Sequence, residues 1–375
     1  MLITHPRVML MNVQWMDATA RFCGSLTSLF PKVFFSTVNI WTLYALLSEV
    51  CYNQISLQSE RPGVAILVGL IGVFLHVMCA YTYFMVVIVG GGSPSDFPEL
   101  RIRNLDSLKA NSQDPPEFQE QDQLLGDTEA DVYRDVPPTQ WVDFHITRPG
   151  TSPYRYCLKC KVWKPDRCHH CSSCNRCVLR MDHHCPWFAT CIGYHNQKLF
   201  IQNLMYIGMY SGFCLVVSAV YLFSFFHHQE YEAGYLSLRL VFLFIVSLVF
   251  FVTIGVFGMF SMWLVFRNTT TIEFQDQRWS WGDKASSRSS GPNIFDLGAR
   301  NNWVSVMGNH WVYWVLPVQF TQKDIASPVN GINSVVDEEA YDEWCQSVRA
   351  QEQLNKQLRE YRDGLRGVEG EDRNV

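Results

Sequence analysis

Four stretches of this chain are long and apolar enough to cross a lipid bilayer, and that feature leaves few ways to fold. A helix needs about 20 mainly apolar residues to cover the hydrocarbon core. The stretches run from about Val33 to Tyr52, Val64 to Val89, Phe200 to Phe226 and Leu240 to Phe266. The last two contain no charged residue, the first holds Glu49 near one end, and the second holds His76. Core helices of soluble proteins rarely supply several uncharged runs of this length together. The expected class is an α-helical integral membrane protein with four transmembrane helices. The connections at 53–63 and 227–239 carry only Arg61 and Arg239 as basic residues, whereas the middle and C-terminal segments are rich in Lys and Arg. The positive-inside rule then puts both termini and the middle segment in the cytosol. There the glycosylation sequon Asn268-Thr269-Thr270 stays unmodified. The first 31 residues hold no continuous h-region and no small-residue cleavage site, so the first span is expected to act as its own targeting signal.

A net charge of -5 speaks against a nucleic-acid partner and against a disordered acidic protein. Local charge is more informative. Residues 96–135 hold about eleven acidic and four basic residues among Pro, Gln and Ser, a composition expected of a mobile linker. Residues 155–199 reverse this, with Arg155, Lys159, Lys161, Lys164, Arg167, Arg176, Arg180 and Lys198 against Asp166 and Asp182. Such a basic face suits anionic lipid or the phosphates of a nucleotide-bearing substrate. Near the C-terminus, residues 337–366 read as a polar helix with an acidic start and a basic end, in line with the helix dipole.

Eight of the 13 cysteines fall between Cys157 and Cys191, interleaved with four histidines. They arrive as C-x-x-C pairs between membrane spans, which points to zinc rather than to disulfides. Tetrahedral structural zinc takes four Cys or His ligands. Because Cys168, Cys171, Cys174 and Cys177 form overlapping pairs, spacing alone leaves the partition open. Two sites would use eight of the twelve candidates and leave four. A thiol outside a zinc site can react, and in Asp182-His183-His184-Cys185 a His stands two residues before a Cys with a carboxylate beside it. A wholly structural role for this run is the competing reading.

At this point the sequence resembles the DHHC-type protein S-acyltransferases, or palmitoyltransferases. The matching pattern is C-x2-C-x7-C-H-H-C-x2-C-x2-C-x4-D-H-H-C-x5-C-x4-N-x3-F, from Cys157 through Asn196 to Phe200. Thr270-Thr271-Ile272-Glu273 matches the family's TTxE motif, and 293–308 resembles its C-terminal motif, with Asn302 in the asparagine position. PWFATC followed by NQKLFIQNLMY is most similar to the fungal vacuolar branch, which implies a vacuolar membrane location. Three departures stand out: Thr190 where the family usually has Asn, GGSPSDFPEL at 91–100 in place of DPG, and Cys168 where a small residue is common.

The resemblance implies a partition that spacing does not. One zinc would take Cys157, Cys160, His170 and Cys177, and the other Cys171, Cys174, His184 and Cys191. His183 and Cys185 would remain for catalysis, with Cys168 structural. It also implies the reaction: Cys185 takes a long-chain acyl group from acyl-CoA and passes it to a cysteine of a cytosolic or peripheral membrane protein. His183 would be the base, oriented by Asp182, and Trp187 would pack near the start of the acyl chain. Thr270, Thr271, Glu273 and Asn302 would be structural. The implied layout is a cytosolic segment 1–32, transmembrane helices 1 and 2 in 33–90, an acidic linker 91–154 and a cytosolic zinc module 155–199. Transmembrane helices 3 and 4 follow in 200–266, then a cytosolic region 267–375. The alternative is a catalytically inactive, membrane-anchored zinc scaffold.

Overall fold

The computed structural model describes residues 28–102, 137–146, 154–228, 235–280, 292–318 and 331–371. The N-terminal segment before residue 28, most of the acidic linker and the loop at 281–291 lie outside these residues. Each apolar stretch forms one helix: α1 Ser28–Gln58, α2 Pro62–Val89, α3 Gln197–His227 and α4 Leu238–Phe266. Pro62 opens α2, where its missing N–H has no intrahelical partner to lose. Gly90 closes it with a φ of 63°, a conformation that L side chains rarely adopt. From Leu46 to Gln58, α1 is wound as a π-helix.

The residues group into two units, Met1–Gly90, His184–Trp263 and His310–Val318 in the first, and Gly91–His183, Leu264–Asn309 and Gln319–Val375 in the second. In the first, Leu46, Val50 and Ile55 of α1 pack with Cys79 of α2, Tyr206, Tyr210 and Cys214 of α3, and Leu243 of α4. Small residues let the helices approach: a Cβ on Gly72 would overlap the Leu46 side chain, and one on Gly212 would lie 2.9 Å from the Phe251 ring. Asn203 of α3 donates to the Cys79 carbonyl (3.1 Å) and to the Thr82 hydroxyl (2.9 Å) of α2. Inside the bundle, buried Glu49 accepts from Asn53 and lies 3.3 Å from Arg239. Outward, α2 exposes Ile66, Leu70, Phe74, Val77, Tyr81 and Phe84. A face that apolar is unfavourable in water and matches a lipid environment.

A short helix, α7 (Val312–Val315), belongs to the same unit. Three side chains spaced four apart on α3 hold the backbone around it. Lys198 donates to the Val318 carbonyl (2.6 Å), Gln202 to those of Tyr313, Trp314 and Leu316, and Tyr206 to that of Val315 (2.6 Å). Carbonyls near a bilayer need such donors, because hydrocarbon offers none.

In the second unit the Cys-rich chain folds into short antiparallel strands. Strand β1 (Tyr156–Cys157) pairs with β2 (Val162–Trp163), and β3 (His169–Cys171) with β4 (Arg176–Val178). A third pair, β5 (His183–Cys185) and β6 (Thr190–Ile192), follows before α3 and, from His184 onward, belongs to the first unit. The GGSPSDFPEL segment is ordered: Ser93 and Asp96 form a reciprocal capping box, and the Gly92 carbonyl accepts the Leu179 N–H. Ile102 donates to the Lys161 carbonyl, and a small core forms from Leu100, Ile102, Val142, Trp163 and Ile332. Helix α5 (Thr271–Ser280) follows α4, and α6 (Ala299–Met307) carries buried Asn302. Asn302 donates to the Phe266 carbonyl (2.8 Å) and accepts the Leu297 N–H (3.0 Å), the backbone-satisfying role expected of it. Helix α8 (Glu338–Glu371) docks its first turns through Trp344 on Ile294 and Phe295.

Candidate active site and metal clusters

The three hairpins are copies at an interval of 14 residues. Cys157, Cys171 and Cys185 each end a first strand, and Lys161, Asn175 and Ala189 each take a left-handed φ of 53°, 50° and 51° four residues later. A left-handed residue at that point turns the chain sharply enough to bring a C-x-x-C pair together. The first pair is Cys157 and Cys160, and the second is Cys171 and Cys174. Each is completed by a His and a Cys from the next hairpin, His170 and Cys177 for the first and His184 and Cys191 for the second. Every ligand of the second set lies 14 positions after its counterpart in the first.

The donor atoms within each set lie within 4.8 Å of one another. His170 Nδ1 is 3.6, 3.2 and 3.9 Å from the sulfurs of Cys157, Cys160 and Cys177, and His184 Nδ1 is 3.6 Å from that of Cys191. A tetrahedral zinc with ordinary Zn–S and Zn–N bonds gives N···S edges of about 3.6 Å. Three thiolates and one imidazole per site fit zinc in geometry and in donor chemistry. Fully buried Cys168 packs beside the first cluster, with Cys157, Val162 and Cys177. It is a packing residue, as expected.

The third hairpin differs at one place. Where the first two have a second cysteine, it has Phe188, which packs on Tyr83 (ring centroids 4.9 Å apart) and Phe200 (5.9 Å). Cys185 thus occupies a ligand position whose partner is missing, outside both clusters. Aromatic groups gather after it. Tyr83 stacks on Phe35 at 3.8 Å and donates its hydroxyl to the Trp187 carbonyl at 2.8 Å. Trp187 is 60% exposed, and its ring centroid lies 6.2 Å from that of Phe34. Asn196, fully buried, donates to the carbonyls of Cys191 (3.0 Å) and Val86 (3.1 Å) and accepts the Gly193 N–H. It braces the hairpin's return strand against α2.

Before Cys185, the Asp182 carboxylate accepts from His183 Nδ1 at 2.6 Å. Thr271 donates to the same carboxylate twice, through its N–H (2.7 Å) and its hydroxyl (2.9 Å). Burial alone would raise the Asp182 carboxyl. The hydrogen bond and charge of His183, and then the two Thr271 donors, outweigh it and hold the group below the usual carboxylate range.

All eight expected ligands therefore lie in two clusters, and Asp182 and His183 are joined beside Cys185. Thr190, the departure from the family pattern, sits in β6. Two features escaped the sequence reading. Thr271 was expected to be structural, and the particular group it holds, the Asp182 carboxylate, was not foreseen. Arg167 and Arg180 were grouped with the basic face, yet they are 3% and 8% exposed and turn toward Asn268 and Glu273. The 14-residue offset was a signal in the sequence that would have assigned both ligand sets.

A family profile described as DHHC palmitoyltransferase matches residues 150–278. The chain is 48% identical to "Palmitoyltransferase PFA3" of Debaryomyces hansenii over 391 aligned positions, covering 98% of this chain and 96% of that protein. It is 40% identical to the Candida albicans protein of the same name, covering 92% and 93% of the two chains. "Palmitoyltransferase ZDHHC15" of Mus musculus is 32% identical, covering 84% and 86%.

Proposed function

Because this chain belongs to the DHHC palmitoyltransferase family and is a protein S-palmitoyltransferase, we propose that it acts through an acyl-enzyme on Cys185. The observation that carries this is the Asp182–His183 pair, joined at 2.6 Å and directly preceding a cysteine outside both metal clusters. In the first half-reaction the Cys185 thiol gives its proton to His183 Nε2, and the thiolate attacks the carbonyl carbon of a long-chain acyl-CoA. The new C–S bond forms as the CoA thiolate leaves and takes the proton from His183. In the second, the thiol of an acceptor protein gives its proton to His183 and attacks the Cys185 thioester. Cys185 leaves as thiolate and is reprotonated. One thioester replaces another at each step, so no energy donor is needed.

Asp182 holds His183 in the tautomer with Nδ1 protonated and stabilises the imidazolium that forms. Zinc in the two clusters would fix the hairpins and so the placement of Cys185, with no part in the thioester chemistry. The aromatic groups around Trp187, Phe34, Phe35 and Tyr83 suit the first methylenes of the acyl chain, each buried methylene contributing about 0.8 kcal/mol. Exposed Lys159, Lys161 and Arg176 remain available for CoA phosphates. The cysteine-rich module and both termini are assigned to the cytosol from the distribution of basic residues. The acceptors are proteins that present a cysteine at that face, and the vacuolar membrane is assigned from the motif resemblance. The inactive-scaffold reading finds no support in the site or in the relatives.

The test pairs zinc content with acyl-CoA turnover in purified wild type and Cys185→Ser. Both should hold about two zinc ions per chain, and only wild type should form a hydroxylamine-sensitive acyl-enzyme. A wild type that never acylates while folded, or a Cys185→Ser protein that sheds zinc, would sink the assignment.

A further inference from the structure

We propose that Arg167 is a positioning residue that sets the reach from Thr271 to Asp182, and through it the orientation of His183. This rests on the assignment of Asp182 and His183 as catalytic partners. Arg167 is tied to both sides of that contact. Its backbone carbonyl accepts the N–H of Met181, the residue before Asp182, at 3.0 Å. Its side chain holds the residues that flank Thr271. Nε and Nη2 form a fork on the Glu273 carboxylate at 2.7 and 2.8 Å. Nη1 donates to the Asn268 side chain at 2.9 Å, and Nη2 to the Asn268 carbonyl at 2.8 Å. The guanidinium also lies over the Phe295 ring, 4.4 Å from its centroid.

Glu273 in turn accepts the Thr270 N–H at 2.8 Å, so the fork fixes the backbone turn from which Thr271 reaches Asp182. A single residue thus spans the approach from both ends: its backbone carbonyl to Met181, its guanidinium to Asn268 and Glu273. Four donated hydrogen bonds and 3% exposure leave it unsuited to a CoA phosphate, unlike the exposed basic residues of the module. Lysine keeps the charge but has no planar fork, so it cannot reproduce the geometry.

The experiment measures Cys185 acylation against acyl-CoA concentration in Arg167→Gln, Arg167→Lys, Thr271→Ala and the Arg167→Gln/Thr271→Ala double variant, with zinc content alongside. Arg167→Gln should lower the maximal rate by about 10- to 100-fold with an unchanged half-saturating acyl-CoA concentration. Arg167→Lys should fall between it and wild type. In the Thr271→Ala background, Arg167→Gln should cost less than about twofold more, because the contact it sets is already gone. A double variant as slow as the product of the two single losses would overturn the proposal. So would a raised half-saturating concentration with an intact maximal rate, the signature of a CoA ligand. If Arg167→Gln sheds zinc, Glu273→Gln removes the same fork from the other side and carries the same cycle. A wild type that never acylates Cys185 would instead remove the catalytic assignment itself, and this inference with it.

Discussion

The first two hairpins and the third have the same backbone and opposite fates. In each, a cysteine ends the first strand and a left-handed residue turns the chain four positions on, at Lys161, Asn175 and Ala189. Cys157 and Cys171 each have a second cysteine three residues later, and a His and a Cys from the following hairpin complete the set. Cys185 has Phe188 instead, and among the described residues no fourth hairpin follows to offer the other ligands. Cys185, the proposed nucleophile, thus sits at a ligand position outside both clusters. A thiolate bound to zinc is partly neutralised, whereas one in the same rigid turn without zinc keeps its reactivity. The scaffold that makes cysteines inert elsewhere presents this one.

Cys171→Ser, in the second hairpin, should cost both metal and fold, since structural zinc contributes on the order of 10 kcal/mol in small zinc modules. Metal analysis and the yield of folded protein check this, and a zinc-replete, stable variant would undo the equivalence of the first two hairpins. Phe188→Ala should leave zinc in place and lower stability by about 3–5 kcal/mol, the usual result of emptying a buried aromatic site. Phe188→Cys restores the pair in the third hairpin, yet the zinc content should stay at the wild-type value. A third ion per chain would show that the missing cysteine alone keeps metal away from Cys185.

Acid should act on the carboxylate anchor as well as on the clusters. Burial by itself would raise the Glu273 carboxyl, but the Arg167 charge and the Thr270 N–H outweigh it and hold the group below its ordinary value of 4.5. A depressed folded-state pKa contributes stability that is present above 4.5 and lost as the pH falls through the lower folded value. Glu273→Gln should therefore be less stable near neutrality and show a flatter loss of melting temperature below pH 4.5. A slope equal to wild type would show that this pair carries no acid sensitivity. The smallest effect belongs to Ala189→Gly. Glycine relieves the left-handed turn at a φ of 51° but adds freedom to the unfolded chain, for a net gain of about 0.5 kcal/mol. Thermal melting resolves a gain of that size.

The four spans were legible because a bilayer demands long uncharged runs, and the helices extend the expected stretches by a few residues at their ends. In α1, length and apolarity marked the span, but nothing in them signals the π-winding from Leu46, which depends on how the helix packs. The C-x-x-C pairs exposed the metal-binding character of 157–191, but because they overlap, the partition becomes legible only from the 14-residue offset between the two ligand sets. Thr271 and Arg167 were invisible as site residues for another reason. Each lies about 90 or 100 positions from its partner, Asp182 or Asn268, and side-chain reach across such separations has no periodic trace in sequence. Arg167 even pointed the wrong way, because a cationic residue in a basic stretch looks like surface until its burial is seen.

The second hairpin serves both metal sites at once, with Cys171 and Cys174 in one and His170 and Cys177 in the other. Two bound ions would thus be links in one chain rather than independent rivets. Withdrawing either leaves a strand of this shared hairpin slack and loosens the ligands of the other. Exposure to a chelator should therefore strip both ions in a single cooperative event, and the protein should exist either fully loaded or fully bare, with no lasting half-metallated form.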